Sequence, residues 1–140
     1  MNLMTGTTSP AYLRRVRASA WYDLVVTAGF ATPWTYELLH GTLGLLGGTV
    51  PALDPMQVLY ANLMGSVVLI WATLRLTGTR PEHGLYDGVA RLLFSTWFLY
   101  ALTQGAPSVL WVFLVVELPF GVVQLAPWVV NAVRRPVAAR

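Results

Sequence analysis

Glu117 is an acid set inside the most apolar stretch of the sequence, SVLWVFLVVELPFGVVQLAPWVV, residues 108–130. An ionisable side chain in such a run is costly, and marks a candidate proton carrier, general acid or cation partner. Glu117, Gly121 and Gln124 recur at i, i+4 and i+7, so a helix gathers them into one polar and small-residue stripe. Pro119 and Gly121 loosen the backbone beside the acid and free carbonyls to accept bonds. Asn62 lies at similar depth in an earlier apolar run, where Ala61 and Gly65 permit close helix approach. Tyr36, Glu37 and His40 cluster in the outer third of the first apolar run. Tyr100 and Gln104 take matching heights in the third. The expectation is a polar pocket in the outer half of a helical bundle. Its binding residues would be Glu117, Asn62, Tyr36, Glu37, His40, Tyr100, Gln104 and Gln124.

Blander readings stand beside these. A protonated Glu117 bonded to Asn62, Tyr36, Tyr100 or Gln104 would hold helices together, at about 0.6 kcal/mol per such bond. Histidine near a helix end is cheap, so His40 by itself reads as interfacial. Asp23 and Asp87 read as first-turn acids that offset a positive helix end and pair with nearby arginine, Asp87 and Arg91 standing at i, i+4. Pro33 reads as a kink in the first run. His40 and His83 fall on opposite sides of the membrane, no HExxH or phosphate loop occurs, and no cofactor or metal is expected. Without cysteine there is no disulfide or thiol chemistry, and no serine lies beside a usable base.

The elements that hold these residues follow from composition. Of 140 residues, 56% are hydrophobic and 11% charged, against about 25% charged in ordinary soluble domains. That excludes disorder and a water-surrounded globule, and the scattered arginines argue against nucleic acid as a partner. Crossing a bilayer takes about 20 mostly apolar residues. Four segments qualify, at about 21–40, 55–74, 86–103 and 108–130, in a single membrane domain over residues 1–140. They lack the alternation of barrel strands. The predicted fold is all-α, four transmembrane helices in two tandem hairpins. All nine arginines fall before the first span, around the second loop or after the last span. The positive-inside rule makes that side cytoplasmic, with both termini inside an inner or plasma membrane. Residues 1–20 hold no apolar core, so the first span reads as a retained anchor.

Residues 21–41 aligned on 85–105 give eight identities in 21 positions, Asp23/Asp87 and Tyr36/Tyr100 among them. Composition alone predicts roughly two, so the sequence reads as an internal duplication. Each copy would hold two spans, and parallel repeats of that kind place sites at their interface. The two-span tandem plan is also that of four-span drug-efflux proteins. Tyr86-Asp87 and the ARLLF stretch at 90–94 resemble, over one span, the DoxX-like group of small four-span proteins. The functional expectation is binding or transport of a small apolar or cationic molecule, with membrane lipids around the chain and transport requiring a homodimer. The alternatives are two. One is an intramembrane acid/base enzyme, an isomerase or cyclase acting on a lipophilic substrate, with Glu117, Glu37 and His40 supplying the proton transfers and Trp34, Trp97 and Tyr100 against a developing cation. The other is an accessory subunit of a larger membrane complex.

Overall fold

The structure is a computed structural model and describes residues 6–47 and 52–134. Among the described residues the chain is all-helical. Helix α1 spans Pro10–Thr27 and runs into a 3-10 turn, Ala28–Phe30. Then come α2 (Pro33–Gly47), α3 (Pro55–Thr77), α4 (Pro81–Thr103) and α5 (Leu110–Val133). Four of the five helices open on proline, whose missing N–H costs nothing at a first helical position. Ser9 caps α1 by accepting from the Tyr12 amide at 3.2 Å. Asp54 caps α3 in a reciprocal box with Gln57. At the end of α4, Gly105 takes φ 85°, while the Ala106 and Gly105 amides bond back to Ala101 and Leu102. That is a glycine-ended stop, and it turns the chain straight into α5.

Helix α1 is the hub. It packs most extensively on α3, α4 packs on α5, and α1 touches α4 and α5 as well. Contacts fix the registers. Arg91 meets Gly121 across α4 and α5, and the Phe98 and Phe113 rings stack at 6.0 Å, so these helices run antiparallel with Ser95 level with Glu117. Arg75 reaches Ser19 on α1, and the backbone of Phe30 lies against Gly65, so α1 and α3 are antiparallel too. Ser19 bonds Asp87 and Asp23 bonds Arg91 at the same separation along the chain, which makes α1 and α4 parallel and puts Thr27 near the level of Ser95.

The first expected span, 21–40, is not one helix. Helix α1 begins eleven residues earlier than expected, and the path breaks at Ala28–Thr32 before restarting at Pro33. Proline cannot donate into the preceding turn, and its ring excludes the carbonyl four residues back. The expected kink is therefore a break, beyond which Leu39 packs against Gly29. Residues ten apart in an unbroken helix would be about 15 Å apart, so α2 turns back instead of continuing α1.

The burial pattern is inverted. Arg75, Arg91, Asp23, Asp87, Glu117, Gln124, Ser19 and Ser95 are buried, with both arginines at 1% exposure or less. Ile70, Val67, Val115, Trp97 and many other large apolar side chains face outward, Ile70 at 72% exposure. Among the described residues two helices, α3 and α5, are long and apolar enough to cross a membrane.

Candidate functional site

The buried polar side chains form one cluster at the end of the bundle where α3 stops and α4 starts. Arg91 is its centre. Its guanidinium donates to Asp87 (3.1 Å), Asp23 (2.8 Å), Glu117 (2.6 Å) and the Ser19 carbonyl (3.3 Å). Two neighbouring rings, Phe120 at 5.1 Å and Tyr22 at 5.6 Å, pack beside it, their centroids 5.9 Å from each other. A planar fork with aromatic faces suits this place better than a lysine ammonium would. Arg75 is the second cation. It bonds Asp87 (2.7 Å), Asp23 and the Ser19 hydroxyl, and lies over the Trp71 ring at 5.3 Å.

Neutral donors complete the set. Gln124 donates to Asp87 and to the Ser19 hydroxyl, both at 2.8 Å, and Trp71 donates to Asp87 at 3.3 Å. One turn further toward that end, the Tyr12 hydroxyl donates to the Gln124 carbonyl at 3.1 Å and accepts from Trp128 at 2.8 Å. Asp23 and Asp87 each touch both arginines, whereas Glu117 touches Arg91 alone. Three carboxylates face two guanidiniums. With all five ionised, the cluster carries one uncompensated negative charge.

Of the residues expected to bind, Glu117 and Gln124 enter this cluster, and Gly121 lies between them against Arg91. The others lie elsewhere. Tyr36 packs its ring near Phe30 (5.5 Å) and His40 (6.4 Å) on α2, where Glu37 is exposed. Tyr100 and Gln104 are exposed at the far end of α4. Asn62 is half-buried on α3, and its carbonyl oxygen has no hydrogen-bond partner. The expected bond from Glu117 to Asn62, Tyr36, Tyr100 or Gln104 is replaced by the ion pair with Arg91, because a charged donor binds a carboxylate about twice as strongly as a neutral one.

The reading of Asp23 and Asp87 as first-turn acids needs correction. Asp23 is the fourteenth residue of α1 and Asp87 the seventh of α4, both beyond reach of the helix-end charge. The pairing with arginine holds, including the 3.1 Å contact between Asp87 and Arg91. Arg75 and Arg91, read from the sequence as loop charges, are the core of the site. One signal was in the sequence: Arg91 lies five residues inside the expected third span, one turn from an acid. Among the described residues no group of three or more histidine, aspartate or glutamate side chains is placed to hold a metal ion. No family model, curated protein or solved structure matches the chain.

Proposed function

We propose that the chain is a small four-span integral membrane protein in which Glu117 takes up and releases one proton, coupled to binding or transport of a small apolar or cationic molecule. The membrane part is supported by the inverted burial. Helices α1 and α4 look too polar to cross a bilayer, yet the fold turns Asp23, Asp87 and Arg91 inward and leaves Val25, Leu93, Phe94 and Trp97 on the surface. Intramembrane charge is tolerated on those terms. The crossing segments are then α1 with its 3-10 turn, α3, α4 and α5, while α2 rests on the outer side. Arg14, Arg15, Arg17, Arg80 and Arg134 flank one end of these helices, Arg135 and Arg140 lying outside the described residues. Alkaline phosphatase fused after residue 48 should be active outside the cell, and fusions after 82 or 140 inactive. An active C-terminal fusion would require an odd number of crossings and end the four-span reading.

The single observation that carries the proton is the charge count, with Glu117 the acid held by only one arginine. The tandem plan fits it. Asp23 and Asp87 are mates in the proposed duplication, and each lies between the same two arginines on helices running in the same direction. Glu117→Gln leaves two acids facing two arginines, so thermal stability in detergent should stay within about 1 kcal/mol of the parent. Infrared titration of the protein in lipid nanodiscs should show one carboxylic-acid band appear on acidification, and Glu117→Gln should lack it. An unchanged band in the variant would overturn the assignment. A second reading, an accessory subunit, is favoured by the pairing of all five charged side chains of the cluster with one another within the chain. On that reading the parent shows no titrating band.

A further inference from the structure

The arginines outside the cluster are unmatched where those inside it are paired. Arg14, Arg15, Arg17, Arg80 and Arg134 are exposed at one end of the bundle, and Glu82 is the one exposed acid there among the described residues. The opposite end carries exposed Glu37 and Asp54 and, among the described residues, no arginine. Five ion pairs link described residues, and all of them lie inside the cluster. No carboxylate in the described part of the chain therefore neutralises the exposed arginines.

Two of them belong to a ladder on α1. Arg14, Arg17, Trp21 and Val25 recur at i, i+3, i+7 and i+11, which is one face of a helix. All four are exposed, Trp21 at 55% and Val25 at 74%, while Tyr12, Val16, Ser19, Ala20 and Asp23 are buried on the opposite face. Arg14 and Arg17 are neighbours on successive turns, so two guanidiniums can close on one anion. Trp21 follows about 6 Å further along the axis than Arg17. Cation, then indole, then aliphatic side chain is the order of a leaflet read inward from water. Anionic headgroups lie outermost, indole rings sit at the headgroup level, and acyl chains follow. A soluble acidic protein could answer the two cations but would leave Trp21 and Val25 uncovered. A phospholipid answers all four.

Resting on the membrane-spanning reading above, though not on the proton at Glu117, we infer that Arg14 and Arg17 hold the phosphate of an anionic phospholipid in the inner leaflet. Trp21 lies against its glycerol backbone and Val25 along an acyl chain. Each guanidinium offers a planar fork of N–H donors to phosphate oxygens. The site prefers a phosphate whose charge is not already answered. Phosphatidylglycerol is such a lipid, whereas the phosphate of phosphatidylcholine is paired with the choline of its own headgroup. Arg80 and Arg134 stand at the same end but outside the ladder, on the start of α4 and the end of α5.

The test is a lipid titration of the full-length protein in detergent, read by native mass spectrometry. The parent should bind one phosphatidylglycerol roughly tenfold or more tightly than phosphatidylcholine, since each arginine near an anionic headgroup is worth about a fivefold gain. Arg14→Gln combined with Arg17→Gln should bring the two lipids within about twofold of each other. The thermal midpoint should not move, because neither guanidinium has an ion pair among the described residues to lose. Arg80→Gln combined with Arg134→Gln removes the same charge from the same end and should keep the parental preference. Equal binding of both lipids by the parent overturns the site. So does an equal loss in the Arg80 and Arg134 control, since charge anywhere at that end would then suffice. Glycerophosphoglycerol, the same headgroup without chains, should not displace the lipid at equal concentration. Displacement would make the ligand a free phosphodiester and overturn the lipid assignment. A chain that stays in solution after lysis without detergent removes the membrane-spanning reading itself, before any lipid is added.

Discussion

Replacing Arg91 with methionine should be the most damaging single substitution in the chain, costing about 3–5 kcal/mol of stability. The reason is the imbalance it creates. Among the described residues Arg91 is the only cation on Glu117 and one of two on Asp23 and Asp87. Its loss leaves Asp23 and Asp87 sharing Arg75 and strands Glu117 without a cation. Thermal unfolding in detergent, followed by circular dichroism, measures the effect. The control is informative, because Arg91→Met combined with Glu117→Gln and Asp23→Asn returns the cluster to one acid and one arginine. That triple variant should recover most of the lost stability, since buried ion pairs replaced as a set are often close to neutral. A single Arg91→Met as stable as the parent would mean that the cluster is solvated and not a packed core.

The second large effect is expected at Gly65. A Cβ there would sit 2.6 Å from the Phe30 carbonyl carbon and 2.8 Å from the Ala31 nitrogen. Both are backbone atoms at the break, so no side chain can swing away to make room. Gly65→Ala should cost about 3 kcal/mol, the upper end for overpacking, by pushing α3 off the 3-10 turn. Gly41 is the matched comparison, since a Cβ at that position meets nothing within 4 Å. Gly41→Ala in the body of α2 should be neutral or stabilising by up to about 1 kcal/mol. Equal midpoints for the two variants would show that α3 does not rest on the break.

Local pattern made part of this legible. The stripe of Glu117, Gly121 and Gln124 is a matter of helical period, and all three are buried. The pair Asp87 and Arg91 is likewise one turn of helix, visible without a fold. The start of α3 at Pro55 follows from an aspartate cap and a proline at the first helical position. What stayed hidden depends on distant partners. Arg75 meets Asp23 across 52 residues of sequence, and Arg91 meets it across 68. Nothing in the neighbourhood of either arginine names that acid. Hydropathy assigned both to the membrane surface because a window average cannot tell a charge facing water from one facing another charge. The same averaging joined α1 to α2, since the residues on both sides of Pro33 are apolar enough to pass as one span. The outer-half pocket was drawn from depth along each segment, and depth says nothing about which helices are neighbours.

The cluster also bears on how the chain is made. In the four-span reading, synthesis delivers its charges in near-balanced instalments. The first half brings Asp23 on α1 and Arg75 on α3, which are direct partners and neutralise one another before α4 exists. Helix α4 then arrives with Asp87 and Arg91 already paired along its own surface. Each unit can therefore leave the insertion machinery without stranding a bare charge in hydrocarbon. Helix α5 comes last, carrying Glu117, and its partner Arg91 was laid down 26 residues before. Of the five charges in the cluster, the unbalanced one is the last to be installed.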